Sequence, residues 1–303
     1  MNISADSHPL ATAISTDAVS VSNLTRDFGR FQLGPLDLTV PTGYVTGLVG
    51  ANGAGKTTLL KLLLQLQRPD SGTMTLLGSP IAEGSVAVRD DLGVVFDAPI
   101  VLPEWTVRTA GQALSGFYSR WDASSFEALL ERFRLSPRAT VKSLSRGQGT
   151  KLMLALALAH HPRLLLLDEP TSGLDPASRR ELLDLFAEYM AADESHTILF
   201  STHITSDLDR IADHLRVLSN GRLVESGSLH EVTERYAVVR GPRRTLTTHQ
   251  RELIHGMQER ADLYSGLVAT TATASFGSEV VFDPASVEDI VVYLSATDEE
   301  VAA

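Results

Sequence analysis

The stretch Gly50-Ala51-Asn52-Gly53-Ala54-Gly55-Lys56-Thr57-Thr58 decides the fold. It fits the pattern G-x-x-x-x-G-K-[ST], in which glycines let the backbone curl until successive N–H groups point inward as an anion nest. A phosphate held there also meets the positive end of the helix that follows. Lys56 is the expected cation for the β- and γ-phosphates, and the Thr57 hydroxyl an expected ligand of Mg2+. The flanks agree. Residues 44–49 read as a short strand after the turn Pro41-Thr42-Gly43, and residues 56–66 read as a helix. Its leucines 59, 60, 62, 63, 64 and 66 cover most of the circumference, so the helix is expected to be buried on most sides. A glycine-rich turn that merely precedes a helix is the plainer alternative, and a second motif weighs against it.

That motif is Leu164-Leu165-Leu166-Leu167-Asp168-Glu169-Pro170. Four consecutive leucines predict a strand buried on both faces, and α/β sheets place ligands at the carboxyl ends of such strands. Asp168 is expected in the shell of Mg2+, and Glu169 is expected to polarise the water that attacks a γ-phosphate. Taken alone, an ordinary acidic turn explains this stretch as well.

Further strands are predicted at 19–24, 36–40, 92–96 and 197–200. A helix begins at Asp175, with Asp as N-cap and Pro176 in the first turn. Strands alternating with helices predict an α/β fold with a mainly parallel, covered sheet. From about residue 99 to 145 the texture changes, and helices at 107–118 and 124–133 read as a helical insertion. Beyond Tyr236 it changes again: Gly241-Pro242-Arg243-Arg244 reads as a turn or linker, followed by a strand near 280–282. Ser286 and Asp289 are then spaced as a capping box for a last helix, with Val287, Ile290, Val291 and Leu294 on one apolar side. The expected domains are a loose leader at 1–18, a main domain at 19–235, and a small C-terminal α/β appendage at 236–303.

Composition narrows the function. With a net charge of −11 and a pI near 5.3, the chain has no basic excess with which to neutralise nucleic-acid phosphates, so nucleic acid is not the expected partner. There is no cysteine, which excludes disulfides and thiol catalysis. The longest apolar run, residues 152–159, is far short of the roughly 18–20 residues that cross a bilayer. The first residues lack the basic and apolar blocks of a signal peptide.

Three more stretches complete the pattern: Leu144-Ser145-Arg146-Gly147-Gln148, Ser172-Gly173-Leu174-Asp175 and Ser201-Thr202-His203. Each alone is an everyday cap, turn or strand end. In this order, around the two phosphate motifs, the set resembles the nucleotide-binding subunit of the ATP-binding cassette (ABC) transporters, over roughly residues 19–235. The segments at 117–122 and 154–175 are most similar to bacterial exporter-type members.

The resemblance implies a P-loop NTPase core, an antiparallel β subdomain, and an ATPase using ATP and Mg2+. It also implies two partners: a transmembrane permease subunit, and a second ATPase subunit, identical or not. The chain would then lie on the cytoplasmic face of the cell membrane, held there through the permease. Phe28 matches the aromatic that stacks on adenine, although a core phenylalanine is the plainer reading. Ser145, Gly147 and Gln148 match the signature loop that completes the ATP site of the opposite subunit. His203 matches the switch histidine that holds Glu169 and water, and Asp175 matches a loop joining the two sites. Two positions depart from the pattern. Arg146 stands where glycine is usual, and Asp97 stands where a glutamine touches magnesium. A carboxylate at 97 can still ligate Mg2+, or it is simply a surface acid. The alternative function is a soluble, non-transport cassette ATPase. Against it, the chain has one motif set and no sustained heptads.

Overall fold

Residues 17–81, 88–97 and 99–302 are described by a computed structural model, in which the two phosphate motifs lie on nearby strands of one sheet. Most of the expected leader, residues 1–16, lies outside the described residues, while Asp17 and Ala18 already belong to the first strand. The chain runs through β1 (Asp17–Asp27), β2 (Gln32–Pro41), β3 (Val45–Val49), α1 (Lys56–Leu63), β4 (Ser71–Leu76), β5 (Ser79–Pro80) and β6 (Leu92–Val95). The helical segment follows as α2 (Val107–Ser115), α3 (Ala123–Arg132) and α4 (Arg146–Leu158). Then come β7 (Leu164–Asp168), α5 (Pro176–Ala192), β8 (Thr197–Thr202), α6 (Thr205–Ile211), β9 (His214–Ser219), β10 (Arg222–Ser228) and α7 (Leu229–Arg235). The last part holds β11 (Tyr236–Pro242), α8 (Thr248–Glu252), β12 (His255–Arg260), β13 (Leu263–Ala269), β14 (Val281–Pro284) and α9 (Val287–Ala302).

The central sheet has the order β10-β9-β3-β8-β7-β6, parallel throughout except for β10 at one edge. The strand β7 shows how its leucines build two layers. Leu164 and Leu166 join the core formed with β1, β2 and α1, whereas Leu165 and Leu167 join the core on the helical side. Alternate side chains of a strand face opposite ways, so a run of leucines suits a strand covered twice. A second, antiparallel sheet, β2-β1-β4-β5, closes over α1.

The third sheet, β12-β13-β11-β14, is antiparallel and begins at Tyr236. Gly241 and Pro242 are not a linker: both lie inside β11, paired with Tyr264 and Leu263. A Cβ on Gly241 would stand 2.7 Å from Val280 Cγ1 and 3.1 Å from the Tyr264 hydroxyl, so the glycine answers a packing need. The helix α1 also stops earlier than expected. Gln65 has a left-handed φ of 55°, and Leu66 is left 61% exposed. The α9 capping box is present as expected, with the Asp289 N–H donating to Ser286 Oγ at 3.1 Å and the Ser286 N–H to Asp289 Oδ2 at 3.0 Å.

Candidate active site

Three neighbouring parallel strands, β3, β8 and β7, end side by side, and the phosphate motifs are the loops that leave them. After β3 the chain turns through Gly50, Gly53 and Gly55, with φ of 154°, 86° and 110°, before α1 begins at Lys56. Gly55 needs more than a permissive φ. A Cβ there would stand 2.7 Å from Leu33 Cδ1 and 3.1 Å from Phe31 Cζ, both from β2 or the turn before it. The loop is therefore pressed against the antiparallel sheet, and only glycine fits.

The loop opens on a cavity of about 470 Å3, lined by Asn52, Gly53, Ala54, Gly55, Lys56, Thr57 and Thr58 together with Phe31 and Glu169. Lys56 is buried, and its ammonium donates to the carbonyls of Gly50 and Ala51 at 2.8 and 3.3 Å. It also lies 3.5 Å from Glu169 Oε1. Its charge is thus fixed at the mouth of the nest rather than swinging on a free stem.

The acidic pair is held differently at each residue. Asp168 is 3% exposed and accepts hydrogen bonds from the Thr57 hydroxyl, at 2.8 and 3.0 Å to its two oxygens, and from Ser201 Oγ at 2.7 Å. Glu169 adopts a left-handed φ of 52°, which costs a non-glycine residue on the order of 1 kcal/mol. Its N–H donates to both the carbonyl and the hydroxyl of Ser201, each at 3.1 Å. The Glu169 carboxylate turns back over the cavity, where Oε2 accepts from His203 Nδ1 at 2.7 Å and from the His203 N–H at 3.3 Å. Ser201 is thus the hidden joint of the site. It sat within the third quoted motif, but only its burial on β8 shows that one hydroxyl serves both carboxyl residues.

Other expected residues lie elsewhere. Phe28 does not line the cavity; it is 42% exposed and stacks on Phe31, which does, with centroids 6.2 Å apart. Ser145 caps α4 and forms a capping box with Gln148, and Gly147 packs close to Leu174. Asp175 caps α5 by accepting from the N–H groups of Ala177 and Ser178, both at 3.0 Å. Those bonds, from Ser178 first, hold its pKa below the ordinary aspartate value. None of Ser145, Gly147, Gln148 and Asp175 lines the cavity. Asp97 does not join the hydrogen bonds between Thr57 and Asp168 and pairs instead with Arg146.

Comparison with known proteins settles the family. The ABC transporter profile matches residues 33–172. The chain is 37% identical over 223 residues to the Nod factor export ATP-binding protein I of Burkholderia lata, covering 71% of this chain and 72% of that protein. The chain belongs to the ABC transporter family. It is the ATP-binding subunit of a transporter and an ATPase. The similarity of this ABC subunit to the Nod factor export ATP-binding protein I of Ralstonia nicotianae, 32% over 308 residues, spans 94% of this chain and 95% of that one, so it includes the third sheet. A solved ATP-binding subunit of an ABC transporter, 29% identical, superposes with a TM-score of 0.64 over 71% of this chain and 91% of its own. The parallel sheet, the antiparallel sheet and the P-loop of this ABC subunit are those of its family.

Proposed function

We propose that this subunit drives export through a separate membrane permease, and that two ATPase subunits sandwich the nucleotide between the P-loop of one and the signature loop of the other. The observation that carries the hydrolytic part is the Glu169 carboxylate, held at one oxygen by His203 and facing Lys56 with the other. So placed, Glu169 orders water at the phosphate end of the cavity and takes its proton as the water attacks. Lys56 and the N–H groups of residues 52–57 bind the β- and γ-phosphates, and Phe31, backed by Phe28, lies toward the base. His203 keeps Glu169 from rotating away.

The residues fit Mg2+ as well. Thr57 and Asp168 bring a hydroxyl and a carboxylate together at 2.8 Å, a hard oxygen pair of the kind magnesium takes beside phosphates. Bound Mg2+ neutralises phosphate charge in such a site. The signature residues Ser145, Gly147 and Gln148 and the capping Asp175 stand outside the cavity, as they must if they complete a second subunit's site. Export rests on the names of the relatives, and a peripheral position at the membrane follows from the permease partner proposed here. Among the described residues no helix is long and apolar enough to cross a membrane.

Glu169→Gln keeps the shape but loses the base. ATP binding is expected to persist while turnover collapses, and Mg-ATP is expected to convert the variant from monomer to dimer on a sizing column. Adding Ser145→Arg is expected to abolish that dimer. Wild-type turnover by Glu169→Gln would refute the role given to Glu169, and a dimer indifferent to Ser145→Arg would refute the sandwich.

A further inference from the structure

The two positions that depart from the family pattern touch each other. Arg146 is the first residue of α4, and its guanidinium pairs with the Asp97 carboxylate just after β6. The same guanidinium donates to Ser172 Oγ at 3.3 Å, in the loop after β7. Its stem crosses Gly173, where a Cβ would stand 3.1 Å from Arg146 Cδ; the φ of 71° there already favours glycine. Beside it, a Cβ on Gly149 would stand 3.3 Å from Pro99 Cγ, so the segment after Asp97 packs on the first turn of α4.

Charge explains why the departures come together. A cation at the first residue of a helix sits at the positive end of its dipole, which is unfavourable, and an anion there is favourable. Arg146 without a carboxylate would leave that end doubly positive. Asp97 without a cation would set a lone negative charge beside a loop meant to meet a triphosphate. Glycine and glutamine, the usual pair, need neither compensation.

We propose that Asp97 and Arg146 act as one charge-coupled positioning pair, which locks the signature turn of α4 to the loops after β6 and β7. Asp97 here is a positioning residue and not a ligand of magnesium. Ile100 and Leu102, 61% and 54% exposed, lie a few residues beyond Asp97. A push on that apolar segment is therefore delivered through the ion pair to Ser145 and Gly147. The inference rests on the reading of those two residues as the loop that completes a second subunit's site.

The test is a double-mutant cycle on the full-length chain, reading kcat and KM for Mg-ATP and the Mg2+ concentration for half-maximal turnover. Asp97→Gln and Arg146→Gly are each expected to lower kcat several-fold with little change in KM, because the P-loop is untouched. The double variant, neutral at both positions, is expected to recover most of the lost turnover, with the Mg2+ requirement unchanged throughout. Single losses that simply multiply in the double variant would overturn the pairing. So would an increased Mg2+ requirement in Asp97→Gln that is the same whether position 146 is wild-type or substituted. Failure of the sandwich reading is a separate outcome, visible as turnover unaffected by Ser145→Arg.

Discussion

Ser201→Ala isolates the joint between the two acidic residues. The hydroxyl is fully buried, donates to Asp168 Oδ1 at 2.7 Å and accepts the Glu169 N–H at 3.1 Å. The second bond has a substitute, since the same N–H already reaches the Ser201 carbonyl at 3.1 Å. The first has only a partial one: Thr57 still bonds the Asp168 carboxylate, but it donates a single proton to both oxygens. Loss of a buried hydrogen bond to a charged group costs about 1.5–3 kcal/mol, so a value near 2 kcal/mol is expected. For a chain of 303 residues that lowers the melting temperature by about 3 °C. Turnover is expected to fall with it, because Glu169 then keeps only one of the two N–H bonds to Ser201 that hold its left-handed conformation. Denaturant unfolding of Ser201→Ala in the wild-type and Asp168→Asn backgrounds is the decisive assay. With a neutral acceptor the cost of losing the hydroxyl is expected to drop to about 1 kcal/mol. An equal cost in both backgrounds would mean that Ser201 only fills space, and the charge argument would be wrong.

Ile100→Asp places a charge on a side chain that is 61% exposed, so thermal unfolding is expected to stay within about 0.5 kcal/mol of wild type while copurification with the permease is lost; a large fall in melting temperature would contradict docking. Phe31→Ala is expected to raise the Kd for ATP more than Phe28→Ala, measured by nucleotide titration, because Phe31 lines the cavity and Phe28 only backs it. His160 is fully buried, stacks on Tyr118 at 3.8 Å, and has its Nε2 2.9 Å from the Leu92 carbonyl. Burial is the first cause holding its pKa below the ordinary 6.5. The unfolded chain then binds the proton more readily, so stability is complete above pH 6.5 and falls as the pH drops below it. Melting temperatures across that range are expected to show a shallower acid decline for His160→Gln.

What the sequence showed plainly was whatever is contiguous along the chain. The phosphate nest is one run of backbone from Gly50 to Thr57, and the acidic pair follows directly on the strand that buries it. Features that need two distant segments were not legible. Phe28 and Phe31 flank one turn, and which ring meets the P-loop is decided across the sheet, where Phe31 Cζ abuts Gly55. Asp97 and Arg146 each read as an isolated departure because nothing in the chain announces that β6 and the start of α4 converge.

The C-terminal appendage shows the same limit on a larger scale. Its helix was predicted with the right apolar side, but the sequence gives no hint of what that side covers. In β11, Ala237 and Val239 face the sheet's own small core with Ile254 and Tyr264, while Val238 between them turns to the main core. Val287, Ile290, Tyr293 and Leu294 of α9 join that same main core, together with Leu208 of α6 and Leu215 of β9. Two cores meeting on alternate residues of one strand bind the appendage into the ATPase body rather than hanging it from a linker. The helix it leans on, α6, starts two residues after His203. Displacing α9 would therefore expose apolar surface on the element that carries the switch histidine, which ties the integrity of the third sheet to the geometry at Glu169.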